Sequence, residues 1–446
     1  MSHQPMKRSL SDFLCSFWRV LPLCVAAIPS RNRCYAICLG ALLVSPSAAF
    51  SAEVPDAATI VGWRGDWTGL YPHAHTPTQW DADQGQNLRW QTKVGQGQAS
   101  PIVAGDLILC TAEPELLLCL ERTSGKILWS KDHRRAALPT GIEMPEERPP
   151  TSPNCGYAAP TPMSDGRRVY AVFGTGIVAC YDLAGSRQWL RYLALPQVTQ
   201  YGRSASPVLA GGRLLVSLSG LTAVDPLTGG TVWDAAAAPS SYGTPAIMTL
   251  GDVQLALTPQ GDCVRLSDGK IMATKLASMK YTSPLVVGDV VYFADAPTVA
   301  YKLTPQTDQR IQCQKLWENE DVEGELFASP VCHDGLLYCV TNEGLLFVID
   351  VQTGQTVYRH ELEIRSASGK PGVQPANLYP SLTLVGKHLL LSNDVGETLV
   401  LAPGRQYREV GRNYLSSGCG ASPAPDKSFL FLRGGGNLFC IGSRSP

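Results

Sequence analysis

The chain has 446 residues, 17% of them charged, with 37 Lys and Arg against 38 Asp and Glu for a formal net charge of −1. Residues 1–49 hold five basic residues and one acidic; without them the balance is 32 basic to 37 acidic, or −5. Neither figure suits a nucleic-acid binder, and 42 glycines with 33 prolines suit many short strands rather than long helices.

At the N-terminus, Arg31 and Arg33 precede an apolar run from Tyr35 to Val44, followed by the small-residue stretch SPSAAFSA. A charged region, a short apolar core and a small-residue site make a secretory leader. The ten-residue core is too short to span a bilayer. A leader is therefore expected over 1–49, cleaved after Ala49 or Ala52. The mature chain is expected to have no transmembrane span and to be exported, either to the periplasm, there or in association with the outer membrane, or outside the cell. No cysteine has a lipoprotein context, so no lipid anchor is expected.

Trp63-Arg64-Gly65-Asp66 then opens the mature fold, followed by a turn-rich stretch holding His73 and His75. Two histidines without a third nearby ligand read as loop residues, not a metal site. Asn87 to Val94 resembles the last strand of a repeat, with no repeat before it.

The repeat itself is clearest in Ser206 to Trp233, SPVLAGGRLLVSLSGLTAVDPLTGGTVW. Three glycine turns separate four short β-rich runs, the pattern of an antiparallel meander. Its start recurs at Ser100-Pro101, Ala159-Pro160, Ser206-Pro207, Thr244-Pro245, Ser283-Pro284, Ser329-Pro330, Ser381-Leu382 and Ser422-Pro423, at spacings of 38 to 59 residues. Its second half recurs from Leu116 to Trp129, Val178 to Trp189 and Leu346 to Tyr358, while Ser267 to Lys270 keeps the turn but loses the tryptophan. One meander cannot bury both its faces, so such copies stack around a ring. The expected fold is all-β, an eight-bladed β-propeller of four-stranded antiparallel blades over 53–446. Residues 87–94 complete the last blade and leave no free sheet edge.

Three stretches interrupt the repeats. Lys131 to Asn154 holds HRRAALPTGIEMPEERPPTSPN, too long for an ordinary connection. Arg310 to Glu325 carries the acidic ENEDVEGE, which reads as solvated surface, and Glu361 to Asn377 is a second polar excursion. Ten of the fourteen cysteines lie beyond the leader. Cys119, Cys180 and Cys440 share one position in three blades, which is a small core slot and too far apart for mutual pairing. Cys332 and Cys339 fall on one predicted hairpin, and their pairing stays open.

The unit Asp-x-x-Thr-Gly-x-x-x-Trp, with Ser-Pro-Val before it, resembles the repeat of the pyrroloquinoline-quinone (PQQ)-like propellers, from about Trp63 to the C-terminus. That family includes quinoprotein alcohol dehydrogenases and the propeller subunit of the outer-membrane β-barrel assembly machinery. The resemblance implies that Trp90, Trp129, Trp189, Trp233 and Trp317, with Tyr358 standing in, dock one blade on the next. It also raises a quinone site, but the chain has no adjacent cysteine pair, no Cys-x-x-Cys-His and no aspartate matching the dehydrogenases' own. Hydrolase signals such as His-Glu-x-x-His and Gly-x-Ser-x-Gly are also missing. The expectation is a monomeric, non-catalytic scaffold for a protein partner in the cell envelope, with neither PQQ nor calcium as cofactor. The alternatives are a PQQ-dependent dehydrogenase and a small-ligand sensor.

Any ligand site would lie at the channel mouth. The positions two before each repeat start are Gln98, Tyr157, Ser204, Tyr242, Tyr281, Phe327, Tyr379 and Gly420. Five are aromatic in a chain that is 8% aromatic, and Arg203, Lys280 and Asn377 lie beside them. This pattern predicts an aromatic, lightly cationic funnel for a planar ligand or peptide. The competing expectation, which is favoured, is that each ring packs beneath its neighbouring blade.

Overall fold

Near-continuous apolar runs such as Leu107–Ala112 and Leu336–Val340, cut by glycine turns, give each repeat two apolar faces that only neighbouring sheets can cover. The computed structural model describes residues 60–193, 198–240, 242–306, 310–364 and 376–443. The predicted leader lies outside the described residues. Eight four-stranded antiparallel blades form the ring, over 102–132, 163–192, 208–235, 246–273, 285–319, 331–361, 383–414 and 424–441. In the eighth, the outermost strand is Leu88–Lys93, paired antiparallel with Asn437–Ile441. The ring is thus closed by the N-terminal strand, as expected. The apolar core is divided into clusters that each join two adjacent blades, as where Leu209, Leu214 and Val216 of blade 3 meet Val172, Val178 and Trp189 of blade 2.

The outermost strand of every blade carries a β-bulge one residue before the docking position. A bulge adds a residue to one strand and re-aims the side chain that follows. Here it turns a tryptophan towards the next blade at five of the eight junctions. Each indole donates its N–H to a backbone carbonyl there: Trp90 to Arg122 at 3.1 Å, Trp129 to Leu183 at 3.0 Å, Trp189 to Pro226 at 3.0 Å, Trp233 to Leu266 at 2.8 Å and Trp317 to Val351 at 2.8 Å. The indole face rests on the glycine of that blade's Thr-Gly or equivalent turn. At Gly354, with φ of +73°, a Cβ would lie 2.5 Å from Trp317 Cγ. The glycine is therefore needed for two reasons, its left-handed backbone and the ring above it.

The other three junctions are built differently. Tyr358 stands at the docking position of blade 6, where His360 stacks on Tyr407 of blade 7 at 3.6 Å. Blade 7 has Gly411 there. The gap beside it is filled by Trp80 of the N-terminal segment, which is 3% exposed and whose backbone N–H donates to Asn413 Oδ1 at 2.7 Å. Blade 4 has Ala273.

The small slot across from the docking residue holds Cys119, Cys180, Cys263 and Cys440 in four blades. Cys332 pairs with Leu337, so Cys332 and Cys339 stand diagonal to one another on the hairpin, and both are free thiols. The acidic stretch is paired with neighbouring side chains: Glu318 meets Lys315, Glu323 lies 3.7 Å from Arg359 and Glu325 lies 2.7 Å from Lys280. Within the second excursion, residues 365–375 lie outside the described residues.

The long insertion is tied down. Leu138, Ile142 and Met144 pack against the cluster between blades 1 and 2. Arg148 pairs with Glu115, which is fully buried and also accepts from Thr175 Oγ1 at 2.8 Å. Glu113 Oε1 accepts the Ala158 N–H at 2.7 Å. Burial pushes both carboxyls above their usual range, against the pull of these donors.

Candidate functional site

Two residues before the innermost strand of each blade stands a Ser or Thr that lines the channel. Their hydroxyls form a relay, in which each residue's N–H donates to the hydroxyl oxygen of the next blade. Ser100 donates to Thr161, Thr161 to Ser206, Ser206 to Thr244, Thr244 to Ser283, Ser283 to Ser329, Ser329 to Ser381 and Ser381 to Ser422, at 2.8–3.1 Å. This relay explains the recurring Ser/Thr: the position needs a short side chain that can accept a bond from a buried backbone donor. In blade 2 the relay residue is Thr161, followed by Pro162. The start expected at Ala159 lies two residues earlier, because AAPTP offers two Xaa-Pro steps in the same alternation.

One end of the channel is floored by the N-terminal segment. Val61 exchanges two backbone hydrogen bonds with Ser164 of blade 2, at 2.9 and 2.8 Å, and Leu70–Tyr71 adds a parallel strand to Thr383–Val385 of blade 7. Between them Arg64 is 3% exposed and donates to the carbonyls of Pro330 at 2.7 Å and Leu382 at 2.9 Å. Burial lowers its pKa to about 10, so it stays charged at neutral pH. Its guanidinium lies 5.3 Å from the ring of Trp63, and Trp63 lines the chamber. Nothing in the Trp63–Asp66 tetrapeptide announces a plug; a buried arginine serving two inner strands becomes visible only when the ring is assembled.

Above this floor is a chamber of about 320 Å³. Tyr242, Tyr281, Phe327 and Tyr379 line one wall and contact each other in series, with centroids 5.2, 4.4 and 5.2 Å apart. Tyr201, which the repeat pattern did not single out, completes the arc at 6.0 Å from Tyr242 and 6.2 Å from Tyr281. The opposite wall carries Gln98, Ala159, Ser204 and Gly420. Ser152 and Asn154 of the insertion, with Cys155 just after it, border the mouth, joined to the blade 2–3 connection by the Ser152 N–H bond to Tyr201 O at 2.9 Å.

The remaining predicted funnel residues face elsewhere. Tyr157 donates its hydroxyl to Pro149 O at 3.0 Å, beneath the Arg148 guanidinium at 4.8 Å, and locks the insertion in place. Arg203 is buried and donates to Ser240 O. Lys280 lies outside the lining, ion-paired with Glu325 and 4.9 Å from the Tyr281 ring centroid. Asn377 braces blades 6 and 7 through Asp394 at 2.8 Å and Asn342 at 3.1 Å. Among the described residues, the lining therefore contains no Asp, Glu, His, Lys or Arg. The expected cationic character is absent because each cation found a carbonyl or carboxylate away from the channel.

This chamber does not fit a quinone with a calcium ion. The rings of the arc are inclined by 34–62° and rest on one another, leaving no parallel slot. Among the described residues, no carboxylate lines the chamber and no group of three His, Cys, Asp or Glu converges on one point.

Comparison with known proteins agrees with this architecture. The family described as outer membrane protein assembly factor BamB matches residues 78–314. The protein of that name from Shewanella oneidensis is 22% identical over 345 residues, covering 66% of this chain and 85% of its own. The crystal structure of BamB from Moraxella catarrhalis superposes with a TM-score of 0.57 at 14% identity, covering 80% of this chain and 98% of that one. A europium-containing methanol dehydrogenase superposes at 0.54 and 12% identity, covering 81% and 87%. At such identities the two structures share a fold, and fold alone assigns no chemistry. The match over more than half of the sequence does assign the family: this chain belongs to that of outer membrane protein assembly factor BamB.

Proposed function

We propose that the protein is an exported, non-catalytic scaffold that holds a protein partner during outer-membrane protein assembly. The observation that carries this reading is the family match over residues 78–314. The uncharged chamber supports it, since general acid–base chemistry needs a titratable group within reach of the substrate. The ring supplies rigidity, and exposed loops such as the insertion supply contact surface. Among the described residues no helix is long and apolar enough to cross a membrane. The periplasm is the compartment that fits this role.

The test is in-cell photo-crosslinking from a reactive residue at Glu143 or Glu146, both exposed on the insertion. Crosslinks to a component of the outer-membrane assembly apparatus are expected, together with reduced outer-membrane protein levels when the gene is deleted. Unchanged levels with no crosslink would overturn the proposal. In the same reading the chain takes neither PQQ nor calcium. Calorimetric titration with PQQ, with and without calcium, should give no heat of binding; stoichiometric, calcium-dependent binding would favour the dehydrogenase.

A further inference from the structure

The junction between blades 4 and 5 lacks both halves of the latch that joins other blades. Ala273 stands where the tryptophan would be, paired with Cys263. On the facing side, blade 5 has no Thr-Gly turn. It has instead the long hairpin of Thr298–Pro305 with Ile311–Asn319, which carries Cys313 opposite Leu303. Cys263 is fully buried on the third strand of blade 4, and the half-buried Cys313 packs into the same inter-blade cluster. Both thiols therefore lie in the one cluster that fills the junction, near enough for each to influence the other's ionisation.

We propose that Cys263 and Cys313 form a disulfide that staples blade 4 to blade 5 where the tryptophan latch is missing. The other cysteines offer less. Cys119, Cys180 and Cys440 sit at separate junctions opposite a tryptophan, and Cys332 and Cys339 belong to one hairpin, so their bond would join no two blades. The pair also has an attacking and a resolving member. Cys313 is reachable from solvent, and the neighbouring Cys263 thiol lowers its pKa, whereas that of Cys263 is pushed up by Cys313 and by burial. Each of the other described cysteines is raised by burial.

The chemistry is thiol–disulfide exchange with a disulfide oxidant. The Cys313 thiolate attacks one sulfur of the oxidant, breaking its S–S bond and releasing one thiolate, which takes up a proton. Cys263 then loses its proton and displaces the second oxidant sulfur from Cys313, forming the Cys263–Cys313 bond. Two cysteine thiols are oxidised and one external disulfide is reduced to two thiols. An exported chain would meet such an oxidant, but the test supplies its own and does not depend on export.

Purified wild-type protein is equilibrated with oxidised glutathione, denatured, alkylated without reductant and mapped by mass spectrometry. The expected result is a linked peptide pair holding Cys263 and Cys313. Adding reductant should lower the wild-type Tm by on the order of 5 °C, and should shift neither Cys263→Ser nor Cys313→Ser. Two outcomes overturn the proposal: both cysteines alkylated after oxidation, or Cys313 left as a lasting mixed disulfide with glutathione while Cys263 stays alkylatable. The mapping uses wild-type protein, so it decides the matter even where a variant fails to fold.

Discussion

His133 shows how one side chain sets a pH dependence. It is fully buried at the start of the insertion, with Nδ1 3.2 Å from the Glu115 carbonyl oxygen and Nε2 2.9 Å from the Tyr181 hydroxyl. A carbonyl only accepts, so Nδ1 carries the proton and Nε2 accepts from the tyrosine. Burial lowers its pKa to about 4, against the opposing pull of its bond to Glu115 and of Asp132. The unfolded chain then binds more protons than the folded one between about pH 6.5 and pH 4. Stability from this group is full above pH 6.5 and is lost as the pH falls, by about 3 kcal/mol at pH 4. Glu113 and Glu115, whose pKa values are raised, act in the opposite sense, costing stability as the pH rises through their range. Replacing His133 with Gln isolates its part. Urea denaturation from pH 7 to 4 should show a shallower loss in the variant, and an identical slope would refute the assignment.

At the scale of the blade, the bulge, the tryptophan and the facing glycine act as one device. The bulge aims the ring, the glycine lets it lie flat on the next turn, and the indole N–H satisfies a carbonyl there. Trp189 is 5% exposed and serves the blade 2–3 junction with its bond to Pro226. Trp189→Ala should cost about 3–5 kcal/mol by thermal or denaturant unfolding. Trp189→Phe, which keeps most of the apolar area and loses the hydrogen bond, should cost less. Equal losses for both would assign the latch to the hydrogen bond rather than to packing.

For the whole molecule, the critical step is joining the two ends of the chain. Besides the strand Leu88–Lys93, this depends on Arg433, which is 2% exposed. Its guanidinium donates to the carbonyls of Ala99 at 3.0 Å, Thr111 at 2.6 Å, and Gly95 and Gln96 at 3.2 Å each. One blade-8 side chain thereby fixes the exit of the closing strand and the entry of blade 1. Arg433→Met should fill much of the volume but remove the donor from the buried carbonyls of Ala99 and Thr111 and from the half-buried one of Gly95, while Gln96 O keeps its bond from the Glu113 N–H at 2.8 Å. A loss of about 2–4 kcal/mol is expected from the buried acceptors left without a donor, with faster hydrogen exchange concentrated in blades 8 and 1. Exchange that rises evenly around the ring would argue against a local closing role.

Local sequence was enough for the repeat, the eight blades and the closing strand, because strand period, turn glycines and the terminal tryptophan are each set within a few residues. The same local logic brought Tyr242, Tyr281, Phe327 and Tyr379 to one wall, since equivalent positions of a ring meet at its axis. It missed the register of blade 2, where two consecutive Xaa-Pro steps are locally equivalent and only the hydroxyl relay distinguishes Thr161 from Ala159. It also missed what long-range contacts decide. The buried Arg64 plug, the Trp80 fill between blades 7 and 8, the neutral chamber and the meeting of Cys263 with Cys313 each join residues distant in sequence. Whether a charge faces the channel or finds a carbonyl or carboxylate outside it, as Arg203 and Lys280 do, depends on which partner the assembled ring brings within reach. That is a property of the tertiary structure, because a side chain's polar partners are chosen by desolvation and distance, neither of which exists before the blades close.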